Sequence, residues 1–189
     1  MHKLIMIVLI AIALPAFAAV EHYKIDPTHT YPSFEFSHMG ISVWRGKFDQ
    51  TSGSITLDRA AKTGTVDIKI DMSSINFGLQ DMDKHARSAD WFDVAKFPVA
   101  TYTGTILFDG DSPAKVDGEI TIRDITRPVD LSINLFKCIP HPMLKIQVCG
   151  ADAIGHLNWS EFGMSNSHYG KGKAGIVTLR IQVEAHKQE

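Results

Sequence analysis

Two cysteines, Cys138 and Cys149, are the only thiols in the 189-residue chain, and eleven positions separate them. That spacing fits neither the C-x-x-C of redox chemistry nor the close cysteine pairs of structural zinc sites. With Pro140 and Pro142 between them, "CIPHPMLKIQVC" reads as two strands folded back near His141–Leu144, which brings the thiols towards facing positions. A disulfide, a reduced pair and a metal site recruiting His141 all remain open here. The compartment in which the chain works decides between them.

The other chemistry-bearing side chains are scattered. His29, His38, His85, His141, His156 and His168 are spread over the length of the chain. Three of them converging in space would make a metal site or a histidine-dependent enzyme. No H-E-x-x-H, G-x-S-x-G, P-loop or dinucleotide fingerprint accompanies them, however. Ser160, Glu161 and Ser165 lie near His156 and His168 without a spacing that specifies a triad. His85 follows Asp81 by four residues, a pairing that a helix would satisfy locally. The glycine-rich "NSHYGKGKAG" (Asn166–Gly175) carries two lysines. Backbone amides there could cradle a phosphate, but a strand-to-strand connection needs glycine too, and a hairpin connection is the reading adopted.

The N-terminus speaks to compartment. His2 and Lys3 precede an unbroken apolar run, "LIMIVLIAIAL" (Leu4–Leu14), and Ala16-Phe17-Ala18 has the small-x-small form of a cleavage site. The run is short for a membrane crossing. Residues 1–18 are therefore expected to be a cleaved secretory signal, with 19–189 a single exported domain and no stable membrane insertion. Export permits disulfides, so a Cys138–Cys149 staple becomes the preferred outcome. Removing Lys3 with the leader moves the formal charge from −2 to −3. That balance argues against a nucleic-acid partner, which calls for a basic face.

Period-two alternation supplies the elements. In "GIVTLRIQVEA", Val177, Leu179, Ile181, Val183 and Ala185 share one side. Val66, Ile68, Ile70 and Met72 do the same, as do Val129, Leu131, Ile133 and Leu135. One-sided alternation belongs to antiparallel strands with a wet outer face. Further strands are expected near 21–26, 31–39, 43–49, 53–58, 98–109, 115–124 and 143–158, and one helix over Leu79–Phe92. An all-β domain of about eight strands must hide its edges. Closure into a barrel removes them, although a sandwich would bury the same alternating face. Phe34, Phe36 and His38 share a face, as do Tyr102, Ile106 and Phe108, while Trp44, Phe48, Phe77, Trp91, Phe92, Trp159 and Phe162 fall near strand ends or turns. Any of them can simply fill a core. Periodicity does not separate a packed interior from a hollow one.

Four segments together resemble the YceI-like family of periplasmic polyisoprenoid-binding proteins: "YKIDPTHTYPSFEFSHMGISVWRGKF" (Tyr23–Phe48), "FGLQDMDKHARSADWFDVAKFPVATYTGT" (Phe77–Thr105), "VDGEITIRDITRPVDLSINL" (Val116–Leu135) and "LNWSEFGMS" (Leu157–Ser165). The resemblance implies a periplasmic, lipocalin-like closed antiparallel barrel with one short helix. It also implies a carrier or sequestering protein for a long isoprenoid, such as a quinone or polyprenyl lipid, or a fatty amphiphile. No cofactor would be required and no reaction catalysed. A homodimer stays open. Such a ligand would leave water for an apolar channel, worth about 0.8 kcal/mol per buried CH₂. Its expected contacts are Phe34, Phe36, His38, Trp44, Phe77, His85, Trp91, Phe92, Tyr102, Phe108, Trp159 and Phe162. Two positions where the family commonly carries arginine hold Met82 and Trp159 here. Neither can fork to a phosphate or carboxylate, which points to a neutral head group. The rival readings are a histidine-dependent enzyme and a ligand-free structural or stress-related interaction protein with a collapsed core.

Overall fold

The computed structural model describes residues 19–164 and 175–189. The expected leader, residues 1–18, lies outside the described residues, as do nine of the ten positions of the glycine–lysine segment and His168 within it. The alternating segments form strands β1 (Glu21–Ile25), β2 (Tyr31–His38), β3 (Ser42–Phe48), β4 (Thr51–Asp58), β5 (Thr63–Asp71) and β6 (Ile75–Asn76). After helix α1 (Gln80–Ala86) come β7 (Val99–Asp109), β8 (Ser112–Ile122), β9 (Ile125–Pro128), β10 (Leu131–Pro140), β11 (Gln147–Asn158) and β12 (Ile176–Lys187).

Every pairing is antiparallel, and several strands are halves of one bent stave. β1 and β2 run successively along β12, with Ile25 opposite Ala185 and Phe36 opposite Val177. β4 and β3 lie beside them in turn, and β5 and β6 beside those. The path β1-β4-β5-β7-β8-β10-β11-β12 closes through the β1–β12 pairing into an eight-stranded barrel. Closure settles the choice between barrel and sandwich, because no edge remains along that path.

The first bend is built by the residues of "DPTHT". Asp26 donates its backbone N–H to Glu184 O at 2.9 Å, while its side chain accepts from Thr28 N at 2.9 Å and Thr28 Oγ1 at 2.6 Å. Thr30 Oγ1 donates to Glu184 O and accepts from Glu184 N, both at 3.0 Å. Side chains thus replace the ladder bonds that the bend interrupts. Burial pushes the Asp26 carboxyl up, but bonds from Thr28 and His29 outweigh it and hold its pKa down at about 2.

Three expectations change in detail. The helix is shorter than Leu79–Phe92. Asp81 and Asp83 in its first turn and Lys84 and His85 in its last suit the dipole. Beyond Ala86 the chain turns back: Phe92 N bonds to Ala86 O, Asp93 N bonds to Ser88 O, and Asp93 takes φ 46°. The last strand before Trp159 begins at Gln147 and not at 143, because Met143 and Leu144 donate their N–H groups to His141 Nδ1 in the preceding turn. Third, Leu135 leaves the face of Leu131 and Ile133. β10 carries one extra residue, Asn134, between the pairs Ile133–Ala153 and Leu135–Asp152. That bulge flips the parity, so Leu135 is exposed while Phe136 and Cys138 turn inward against the core. Cys138 and Cys149 face each other in the β10–β11 register and form a disulfide.

Candidate functional site

The inward faces do not meet. They enclose a cavity of about 220 Å³ whose wall comes from every stave. One water needs only about 10–15 Å³, so this is a hollow interior and not a packing defect. Leu179, Ile181 and Val183 of β12, Ile55 of β4 and Ile68 of β5 point inward yet are only half-buried, as residues facing a void should be. Among the described residues, no Asp, Glu, Lys, Arg or His side chain belongs to the wall.

The two ends differ. At the disulfide end, Tyr23 plugs the barrel at 2% exposure, and its hydroxyl donates to Gln147 Oε1 at 2.7 Å. Outside it, Glu21 accepts from Arg59 and Lys187, each at 2.8 Å. Burial pushes the Glu21 carboxyl up, but these bonds prevail and lower its pKa. At the other end, where β2 turns into β3 and α1 packs, aromatic rings form a collar. Trp91 stacks on Trp159 at 4.4 Å, and Trp159 on Phe36 at 6.5 Å. Phe77 meets Phe34 edge-on at 5.5 Å. Gly46 makes this possible, since a Cβ there would strike the Phe34 ring at 2.6 Å.

Of the residues anticipated from sequence, Phe34, Phe36, Phe77, Trp91, Phe92, Tyr102 and Trp159 line the cavity. Tyr102 also donates its hydroxyl to Val129 O at 2.9 Å, and burial raises its pKa. Five others lie off the wall. His38 stacks on Trp44 at 4.1 Å, and Trp44 braces Phe36 and Phe77 from behind. His85 accepts from Trp91 Nε1 at 2.8 Å, which positions a collar ring and leaves the imidazole outside. Phe108 packs on the core near the β7–β8 turn, where Ala114 bulges from β8 and Pro113 takes the wall position instead. Phe162 is fully buried as the anchor of a 3₁₀ turn, Trp159–Phe162, and fills core.

Sequence reasoning missed Met82 and Met164 as wall residues, along with Thr51. Alternation marked the aliphatic faces but not that they look onto a void. Among the described residues, no three histidines converge. One ligand-type atom each of Asp26, His29 and Glu184 lies within 4.8 Å of the others, but both Asp26 oxygens are committed to Thr28 and His29.

A YceI-like domain model matches residues 23–186. The chain belongs to the YceI-like family. A UPF0312 protein of Vibrio campbellii is 33% identical over 184 residues, spanning 95% of this chain and 94% of that one. Among solved structures, the Campylobacter jejuni YCEI protein superposes on this YceI-like barrel with a TM-score of 0.67 at 26% identity, covering 82% of this chain and 91% of that one. A polyisoprenoid binding domain from Saccharophagus degradans, implicated in plant cell wall breakdown, shares the fold at a TM-score of 0.60 and 14% identity, covering 88% and 98%. Among the described residues of the YceI-like chain, no helix is long and apolar enough to cross a membrane.

Proposed function

We propose that this protein is a periplasmic carrier that holds the tail of a long isoprenoid or similar fatty amphiphile inside the barrel. The observation that carries the reading is a hollow interior whose wall, among the described residues, is uncharged and almost wholly apolar. Such a wall offers a hydrocarbon the full transfer free energy and gives ions or polar metabolites nothing to pair with. Family membership agrees with it, and so does the ligand class named for the Saccharophagus degradans domain. The collar of Phe36, Trp91 and Trp159 is the mouth, and the Tyr23 end is closed. Phe34, Phe36, Phe77, Trp91, Phe92, Tyr102 and Trp159 contact the ligand, while Trp44, His38 and His85 hold the collar rings in place. The protein is a binder and not a catalyst, with residues 1–18 removed on export.

Native mass spectrometry after gentle purification of the exported protein tests this. The expected spectrum shows one hydrophobic molecule per chain, a chain lacking residues 1–18, and the two-hydrogen deficit of one disulfide. A ligand-free mass that takes up no isoprenoid quinone on incubation would overturn the carrier reading in favour of a structural or interaction protein.

A further inference from the structure

The closed end of the cavity is a sharp boundary between two environments. Tyr23 belongs to the wall, yet the partners of its hydroxyl do not: Gln147 Oε1 lies at 2.7 Å and Glu21 Oε2 at 3.0 Å. Glu21 is in turn held by Arg59 and Lys187. Arg59 also lies over the ring of Phe136, a second wall aromatic, at 5.9 Å. Two rings therefore face the void while two cations and a carboxylate stand behind them. A hydrocarbon that passed the rings would have to part those ion pairs and leave them unsolvated.

The distance from the collar to this floor can be counted on β12. Val177 faces Phe36 of the collar, Ala185 is the last wall residue of the strand, and Lys187 faces Tyr23. Val177 to Ala185 is about 27 Å of strand at about 3.4 Å per residue, or about 20 Å along the axis of a barrel whose strands tilt by about 40°. A carbon zigzag with bonds of about 1.52 Å at about 111° advances about 1.25 Å per bond, so about sixteen chain carbons span that depth. The volume agrees. At about 10–15 Å³ for one water, the 220 Å³ interior takes about 15 to 22 groups of that size, and a methylene is nearly the same size.

We propose that Tyr23, together with Phe136, is a floor that measures the ligand's tail and so sets its length. The ligand class is then a neutral amphiphile with about sixteen enclosed chain carbons, the span of about four isoprene units, and any further length is left at the collar. This inference rests on the carrier reading and specifies the ligand of that site.

The test uses saturated primary amides with even tails of ten to twenty-two carbons. Each is equilibrated by dialysis with delipidated mature protein and quantified on both sides by mass spectrometry. For wild type, the bound-to-free ratio should rise about sixteenfold per two-carbon step, the transfer free energy of two methylenes. Near sixteen carbons the rise should flatten to about twofold or less per step, since carbons left in water gain nothing. Tyr23→Leu should move that break up by about two to four carbons, the depth the ring vacates at about 1.25 Å per bond. Tyr23→Phe should restore it, because the ring and not the hydroxyl stops the tail. Ala151, a half-buried wall residue opposite Val183, allows the converse change. Ala151→Leu should move the break down by a similar amount while Tyr23 and its partners stay in place. Should Tyr23→Leu fail to unfold cooperatively in urea, Ala151→Leu decides alone. No break in wild type, a break that neither variant moves, or one that Tyr23→Phe moves as far as Tyr23→Leu would each overturn the proposal and spare the carrier reading. Retention of no amide overturns it too, and if an isoprenoid quinone is refused as well, the carrier reading falls with it.

Discussion

Asp26 shows how one residue of the "DPTHT" signature serves the fold without touching the cavity. Its carboxylate, 9% exposed, closes the β1–β2 bend, and its pKa falls from 3.8 to about 2. A carboxyl depressed by folding adds stability that is present above its unfolded pKa and fades as pH drops towards the folded value. The contribution at neutral pH is about 2 kcal/mol. His29, exposed and bonded to Asp26 at 2.7 Å, has its pKa raised by that bond. Its contribution runs the other way, complete below the unfolded pKa of about 6.5 and lost as pH rises through the raised value. Urea unfolding from pH 2 to 8 should show both limbs. Asp26→Asn should flatten the stretch between pH 4 and 2 by about 2 kcal/mol and abolish the His29 limb, whereas His29→Gln should remove the upper limb and only shrink the lower one, because Thr28 still holds the carboxylate. Glu21, Glu35, Asp49 and Asp130 also have lowered pKa values and soften every variant at low pH. The difference between Asp26→Asn and wild type therefore isolates the bend, and identical profiles would remove Asp26 from its closure.

At the scale of elements, the β10–β11 hairpin answers what its two cysteines do. They face each other in register at the closed end of the barrel, and Cys149 is part of the wall. The bond restricts the unfolded chain around a short loop, a gain of about 2–3 kcal/mol. Cys138→Ala/Cys149→Ala should lower the unfolding free energy by that amount while ligand retention stays the same, since the two strands remain paired on both sides of the bridge. Unaltered urea midpoints would mean that the ladder alone secures the hairpin, and lost retention would give the bridge a part in shaping the cavity. This hairpin was legible because an expected export signal, the cysteine count and the turn residues agreed. The faces of Val66–Met72 and Val177–Ala185 were legible because period two survives intact along them. Leu135 was not, because a bulge at Asn134 depends on which partner strand lies alongside. The helix was drawn too long for a similar reason. "ARSADWF" has acceptable helix propensity, but tertiary packing of Trp91 and Phe92 over the barrel end overrides it. Collar aromatics could be guessed from their placement near strand ends. Phe108 and Phe162 could not be separated from them, since an aromatic filling core and one lining a void look alike in sequence. Thr51 left no signal at all, because a threonine at the start of a strand is ordinary.

For the molecule as a whole, the question is which head group a closed, uncharged barrel will accept. Met82 and Trp159 stand where the family resemblance leads one to expect arginine, and both contribute to the cavity wall. Nearby arginines are already engaged. Arg123 donates to Trp91 O and Gly163 O, each at 2.8 Å, and Arg87 donates to Ser73 O at 3.2 Å. Their guanidinium groups hold the frame of the collar, so a phosphate at the mouth would have to take them from it. Affinity should therefore lie in the apolar channel and respond little to ionic strength. A neutral isoprenoid quinone and a polyprenyl phosphate of matched tail length, compared at low and high salt, separate the two cases. The quinone should bind more tightly at both salt concentrations, and its dissociation constant should change less than about twofold between them, because screening acts on exposed charge and not on burial. A phosphate complex that is tighter at low salt and weakens steeply as salt rises would place recognition at Arg87, Arg123 and Lys84. The collar would then be an anion site, and the missing family arginines would have been replaced from neighbouring positions.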